Sequence, residues 1–383
     1  MSQLPAPSAA ALAHSEKLAS HIRQQIAAAG GWIGFARYME LALYAPGLGY
    51  YSAGATKFGS DGDFTTAPEM SPLFGQTLAL QIAAVLPHTA GNILEFGAGS
   101  GKLALDILLE LERHNSLPQR YYILDLSAEL RERQWQTFQQ HGLHLLPLVE
   151  WIDTLPQQFS GVMLGNEVLD AMPAHLVELG ANGWQERGVQ DSGNGFAWAA
   201  RPLSDPALAP ICSSLGASAP YLTEISLANR AFMRTLAEHL QQGLILLIDY
   251  GFGAGEYYHP QRDQGTLMCH YRHHAHGEPF YLPGLQDITV HVDFSAIAHA
   301  ALDNGLDLHG YTTQAHFLLN AGIGEILQRF DPNDIRSYLP HTSAAQKLMN
   351  PAEMGELFKV IGLSRALDLS LRGFCSGDRS RML

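Results

Sequence analysis

Glycines and acids at fixed intervals mark Ile93–Leu108, which reads ILEFGAGSGKLALDIL. Gly97, Gly99 and Gly101 fall at alternate positions, and Glu95 stands at the end of the apolar run before them. Such a stretch turns sharply and lets a ligand approach where a Cβ would clash. One helix later a second apolar run, YYILDLS, ends in Asp125. An acid at that tip can accept hydrogen bonds from both hydroxyls of a ribose. Its structural alternative is to cap the helix that starts at Ser127. The pair of motifs points to a nucleoside ligand. The dinucleotide fingerprint G-x-G-x-x-G is broken, because Lys102 occupies the third slot.

A third group follows in GVMLGNEVLDAMPAH, where Asn166, Glu167 and Asp170 come directly after an apolar run. Polar groups there lie at the carboxyl edge of a parallel sheet, where open α/β sheets bind ligands. A carboxylate in this place can orient a cationic or amine nucleophile and take its proton. Two acids suit a guanidinium, whose fork of N–H groups matches paired carboxylates. The alternatives are a helix cap for Asp170 and a solvated Glu167. His270, His273, His274 and His276 crowd one loop, but only Cys269 accompanies them at metal-ligand spacing, so no metal site is expected. Asp287, His291 and Asp293 are expected to line the cleft opposite the glycine loop, with Asp293 doubling as a helix cap.

These residues need a scaffold of alternating strands and helices. Apolar runs predict strands at 92–96, 121–125, 161–165 and 243–249, with helices between the first three. That pattern gives βαβ units and a parallel sheet. Residues 1 to about 12 are rich in Ala, Pro and Ser and read as disordered. Helices are expected at His14–Ala29, Ile33–Ala42, Leu73–Val85, Leu227–Leu240 and Phe294–Asn304. The stretch 174–202 alternates like a small antiparallel insertion, and 314–348 reads as a helical insert. A closing helix Glu353–Ile361 and a strand near Leu367–Arg372 complete the expected order.

Composition narrows the function classes. The chain has 383 residues, 46% hydrophobic and 16% charged, as in ordinary globular proteins. Its net charge of −14 opposes a phosphate backbone, and Arg131 with Arg133 reads only as a short basic pair, so no nucleic-acid partner is expected. Three cysteines, Cys212, Cys269 and Cys375, form no C-x-x-C pair. With no secretory pattern at the start and no apolar run of about 18 residues, a cytoplasmic location without a membrane span is expected.

GDFTTAPEMSPLFG, ILEFGAGSGKLA, YYILDLSAELRERQ, GNEVLDAMPAH, IDYG, GTLMCHYRHH, PFYLPGLQDITVHVDFSAI and FLLNAGIGE together resemble the MidA-like S-adenosylmethionine-dependent methyltransferases, from about Gly31 to Val360. That family includes the mitochondrial protein arginine methyltransferase that helps assemble respiratory complex I. The resemblance implies a class I, Rossmann-like α/β core of seven strands with an N-terminal helical cap and insertions. It divides the chain into a cap and lid loop (1–90), a first half-core (91–173), an antiparallel insertion (174–235) and a second half-core (236–383). It implies S-adenosyl-L-methionine as cofactor and arginine of a protein substrate, such as a respiratory-complex subunit, as acceptor. Glu167 and Asp170 are then the catalytic candidates. Thr65, Ser71, Glu95, Gly97, Gly99, Gly101, Asp125, Leu126 and Asn166 are the cofactor-binding candidates. Thr65 and Ser71 belong to a loop expected to fold over the methionine end and exclude water. Asp125 departs from the family, which often carries Glu there. A small-molecule methyltransferase and a cofactor-binding assembly scaffold without turnover are the alternatives, and the two inserts are candidate surfaces for a homodimer.

Overall fold

The computed structural model describes residues 4–52, 66–125 and 127–383. The chain forms two compact units. One comprises Thr65–Val168, Phe232–Gly253 and Asp293–Leu383; the other comprises Met1–Phe64, Leu169–Ala231 and Ala254–Val292.

Seven of the eight strands of one sheet build the first unit: β1 (Asn92–Phe96), β2 (Arg120–Leu124), β3 (Val149–Ile152), β4 (Phe159–Asn166), β5 (Leu240–Phe252), β6 (Asp307–Thr313) and β7 (Phe358–Arg365). Their order in the sheet is β6-β7-β5-β4-β1-β2-β3. β3, β2, β1, β4 and β5 run parallel, and β7 is antiparallel to both its neighbours. The runs Val162–Leu164 and Leu244–Ile248 are wholly apolar and buried, as central parallel strands covered on both faces require. Strand order reverses between β1 and β4, so the carboxyl ends of these two strands open the crevice of a doubly wound sheet.

Helices Lys102–Arg113 and Ala128–His141 connect β1 to β2 and β2 to β3. The first buries Leu103, Ala104, Ile107, Leu108 and Leu111, a helical spacing that lays one face on the sheet. Ser71 accepts a hydrogen bond from Leu73 N (3.2 Å) and caps helix Pro72–Val85. Helices Gln314–Ala321, Ile323–Leu327 and Ile335–Met349 fill the expected insert between β6 and β7.

The second unit joins a five-stranded sheet to N-terminal helices. Ile33–Gly34, Gly183–Asp191, His175–Gly180 and Tyr221–Ile225 lie in that order, with Phe196–Arg201 also beside Gly183–Asp191. A separate sheet of three places Met268–Tyr271 between His274–His276 and Asp287–Thr289. Leu18, Ile22, Ile26, Phe35, Tyr38, Cys269 and Ile288 share one apolar core.

Four expected elements change. The first helix starts at Ala9, not near His14, because Ser8 accepts from Ala11 N at 3.2 Å and caps it. Ile33–Gly34 pairs with Val189 and Gly188 as a strand, and the next helix runs Phe35–Tyr44. The helix expected at Glu353–Ile361 is one turn, Met354–Leu357, and the strand expected near Leu367–Arg372 is instead β7. The run FKVIGLS is buried on both faces, so it carries no alternation to separate strand from helix.

Phe138 is fully buried and fixes helix Ala128–His141 to the sheet. Phe138→Ala is expected to lower unfolding free energy by about 3–5 kcal/mol in urea titrations; a loss below about 1 kcal/mol would mean that the helix is held by other contacts.

Candidate active site

Sheet register assembles the site. Phe96 pairs with Leu124 on one side and Gly165 on the other. The next residue along each strand is Gly97, Asp125 and Asn166, so three candidates leave the sheet at one edge. Gly97 N donates to Leu124 O at 3.1 Å, which holds the first turn of the loop against β2. Gly97, Gly99 and Gly101 have φ of +61°, +55° and +82°, a left-handed backbone that side chains resist. At Gly101 a Cβ would meet the Gln134 backbone at 3.0 Å.

Gln134 ties the pieces together. It is fully buried. Its Nε2 donates to Gly99 O (3.2 Å) and to Asp125 Oδ2 (2.8 Å), and its Oε1 accepts from Trp151 Nε1 (2.8 Å). One amide therefore links the glycine loop, the acid after β2 and the strand β3. Arg131 adds a second tie: its guanidinium donates to Asp125 O (2.6 and 2.9 Å) and to Ile152 O (2.9 Å). Arg131, read from the sequence only as part of a short basic pair, is thus a strut between strand ends. Asp125 Oδ1 accepts from Ser127 N at 2.9 Å. Each carboxylate oxygen has two lone pairs, so an acid in this place suits ribose hydroxyls. Glu69 accepts from the Ser100 hydroxyl, and Thr137 Oγ1 donates to Ser100 O at 2.7 Å, which brace the loop from two helices.

Glu95 lies inside β1, fully buried, and accepts from the Tyr121 hydroxyl at 2.7 Å. Burial raises its pKa to about 8, opposed by the Tyr121 hydrogen bond and reinforced by the Asp125 charge. At neutral pH the group is therefore mostly an uncharged acid.

After β4 the chain is pinned tightly. Glu167 has φ +53°, rare for a residue with a side chain, and its N donates to Ile248 O at 2.9 Å. Val168 N donates to Asp249 Oδ2 at 3.1 Å; Asp249 is fully buried at the end of β5. A strained backbone held by neighbours on the adjacent strand is common at functional positions. Asn166 Nδ2 donates to Glu167 Oε1 at 3.0 Å, while its Oδ1 is buried without a hydrogen bond among the described residues. A buried acceptor of that kind suits a ligand that brings a donor. Asp170 is buried in the second unit. Thr65 and Leu126 lie outside the described residues.

Gln134, Trp151 and Asp249 were not among the expected site residues. Gln134 is legible in retrospect: Ser127, Arg131 and Gln134 lie at helical spacing on one face, counted from the cap. Asp249 falls in the IDYG motif of the resemblance, whereas Trp151 had no signal beyond its place near a strand end.

A largely parallel sheet reversing at β1/β4, a left-handed glycine loop, a ribose-type acid and, among the described residues, no cationic cradle define a class I methyltransferase rather than a dinucleotide enzyme. The orphaned Asn166 oxygen, the glycine-rich loop and Asp125 fit S-adenosyl-L-methionine, which supplies a methyl group on a positively charged sulfur. Residues 77–312 match the family described as "Putative S-adenosyl-L-methionine-dependent methyltransferase", and the chain belongs to it. A Burkholderia thailandensis protein crystallised with S-adenosyl-homocysteine is 53% identical, with all of both chains covered and a TM-score of 0.97. The mitochondrial protein arginine methyltransferase NDUFAF7 of Danio rerio is 29% identical over 94% of this chain and 89% of its own length. Its Homo sapiens counterpart is 26% identical over 90% and 82%. The chain is therefore an S-adenosylmethionine-dependent methyltransferase of this family. The expected cytoplasmic location is overturned, since these curated relatives are named mitochondrial. No described helix is long and apolar enough to cross a membrane.

Gln134→Leu keeps the volume and removes both donors, so the affinity for S-adenosyl-homocysteine in calorimetry is expected to fall about tenfold, from hydrogen bonds worth roughly 1–3 kcal/mol. Unchanged affinity would show that the loop and Asp125 hold their places without it.

Glu95 gives a pH test. Its folded pKa of about 8 exceeds the ordinary 4.5. The folded chain then binds the extra proton between those values, so stability is highest below 4.5 and falls as pH rises towards 8. Glu95→Gln is expected to flatten that fall in urea midpoints measured from pH 5 to 9; equal slopes in both proteins would contradict the raised pKa.

Proposed function

We propose that this chain methylates an arginine nitrogen of a protein substrate. Glu167 carries the reading: a carboxylate held on a left-handed backbone, beside the orphaned Asn166 oxygen, at the carboxyl edge of β4. Glu167 supplies an acid of the kind that a guanidinium fork pairs with. The names of the curated relatives favour the same acceptor. A respiratory-complex subunit is the first substrate to try.

In this reading Gly97, Gly99 and Gly101 admit the cofactor to the backbone. Asp125 receives the ribose hydroxyls, with Leu126 beside it, and Glu95 shapes the turn from below. Asn166 Oδ1 takes a donor from the methionine end. The Ser71 hydroxyl would donate to the methionine carboxylate while its oxygen caps the helix. Glu167 orients the acceptor nitrogen, whose lone pair forms the new N–C bond as the C–S electron pair returns to sulfur. The surplus N–H proton leaves to a carboxylate oxygen. Orientation and charge supply most of such a rate enhancement.

Labelled methyl donor incubated with a mitochondrial extract and the purified chain tests the proposal. Label on arginine of a protein band, identified by mass spectrometry, is expected. Glu167→Gln should cut it at least a hundredfold while S-adenosyl-homocysteine affinity stays within twofold. Label only in the small-molecule fraction, or undiminished in the variant, would refute the reading.

A further inference from the structure

A second acid centre lies inside the unit that contains the N-terminal helices, and nothing in the cofactor reading uses it. Asp287, fully buried, accepts from the Tyr51 hydroxyl at 2.9 Å and from Ile288 N at 3.0 Å. The Tyr51 ring stacks on Tyr44, with centroids 5.5 Å apart and planes at 21°. The Tyr44 hydroxyl donates to Ala171 O at 3.0 Å, next to Asp170. Val290 N donates to Asp170 O at 3.0 Å, which joins the Asp170 segment to the strand that carries Asp287. Burial, then the charges of Asp287 and Asp170, raise the pKa of Tyr44, and the same two acids act on Tyr51. Two carboxylates and two protonated phenols therefore share one small volume.

The strand Asp287–Thr289 divides by face. Ile288 points into the apolar core with Cys269. Asp287 and Thr289, two residues apart, share the other face. Thr289 is only 2% exposed, and its Oγ1 has no hydrogen bond among the described residues. A buried hydroxyl left over on the face of a buried acid is a group awaiting a ligand.

We infer that Asp287, Asp170, Tyr44, Tyr51 and Thr289 form a binding pocket for a planar cation, the guanidinium of the acceptor arginine. The inference rests on the arginine reading above and adds the residues that select the acceptor. Five N–H donors in a flat fork match two carboxylates and a hydroxyl, and the partly exposed tyrosine rings offer a face for stacking. An ammonium group offers three donors and no plane. Tyr44, Tyr51, Asp287 and Thr289 are binding residues; none exchanges a proton with the acceptor.

Saturation-transfer NMR on the full-length chain tests this, with ethylguanidinium chloride and n-butylammonium chloride as separate probes. A saturable ethylguanidinium signal is expected, with n-butylammonium at least fivefold weaker. Asp287→Asn should weaken ethylguanidinium at least tenfold, with S-adenosyl-homocysteine affinity by calorimetry within twofold. If Asp287→Asn loses the cofactor too, Thr289→Val and Tyr51→Phe decide, each expected to weaken the probe about threefold or more. No saturable signal from either cation, or variants that bind like the parent, would overturn the pocket while leaving arginine labelling to be judged separately. Preference for n-butylammonium would overturn the guanidinium assignment and with it the arginine reading.

Discussion

The site depends on one constraint: three strand ends must stay level. β1, β2 and β4 are in a register that brings Gly97, Asp125 and Asn166 off the sheet together. A slip of one residue along any of them would turn its side chains to the other face and move the acid or the loop by about 3.3 Å. The apolar core supplies most of the cohesion, but it is non-directional and does not by itself set this alignment. Gln134 and Arg131 fix the loop after β1 and the ends of β2 and β3, because their hydrogen bonds reach backbone oxygens there, and the end of β4 is fixed by its ladder to β1 and by the Glu167 N–Ile248 O bond. Breaking any one of them leaves a buried polar group unpaired, which costs more than the bond itself contributes.

The chemistry follows from the sign of the charges that the register collects. Asp125, Glu69 and Glu167 surround the loop with acceptors, and Lys102 is engaged by Asp106 at 2.6 Å. A pyrophosphate would meet repulsion there; a nucleoside carrying positive charge on sulfur and nitrogen would not. Glu95 completes the pattern from underneath. Its desolvation keeps it neutral near pH 7, so the strand below the loop adds a hydrogen-bonded wall rather than another buried charge. Glu167 shows the opposite design, a side chain at the strand edge on a backbone conformation that costs of order 1–3 kcal/mol. The main-chain bond to Ile248 and the Asp249 carboxylate offset that cost.

Much of this was legible from residue order. Alternating glycines, an acid one helix later and a polar burst after the third apolar run identify the loop, Asp125 and the β4 edge. The central strands were legible because buried parallel strands are unbroken apolar runs of the right length. β7 was not, since the same kind of run fits a buried helix equally well and only its pairing with β5 and β6 decides. Arg131 reads as half of a short basic pair until its partners, the Asp125 and Ile152 carbonyl oxygens and the Asp153 carboxylate, are known. The cluster of Tyr44, Tyr51, Asp170 and Asp287 spans more than 200 positions of sequence, and no local pattern foretells that the Val290 and Tyr51 hydrogen bonds bring it together.

The most direct measurement is a crystal structure of the chain grown with S-adenosyl-homocysteine. Both ribose hydroxyls should lie within about 3 Å of the Asp125 carboxylate oxygens, with the Gln134 amide still bridging Gly99 and Asp125 and the Asn166 oxygen newly paired. A ribose seated away from Asp125, or a glycine loop displaced from Gln134 to admit the nucleoside, would contradict the site described above.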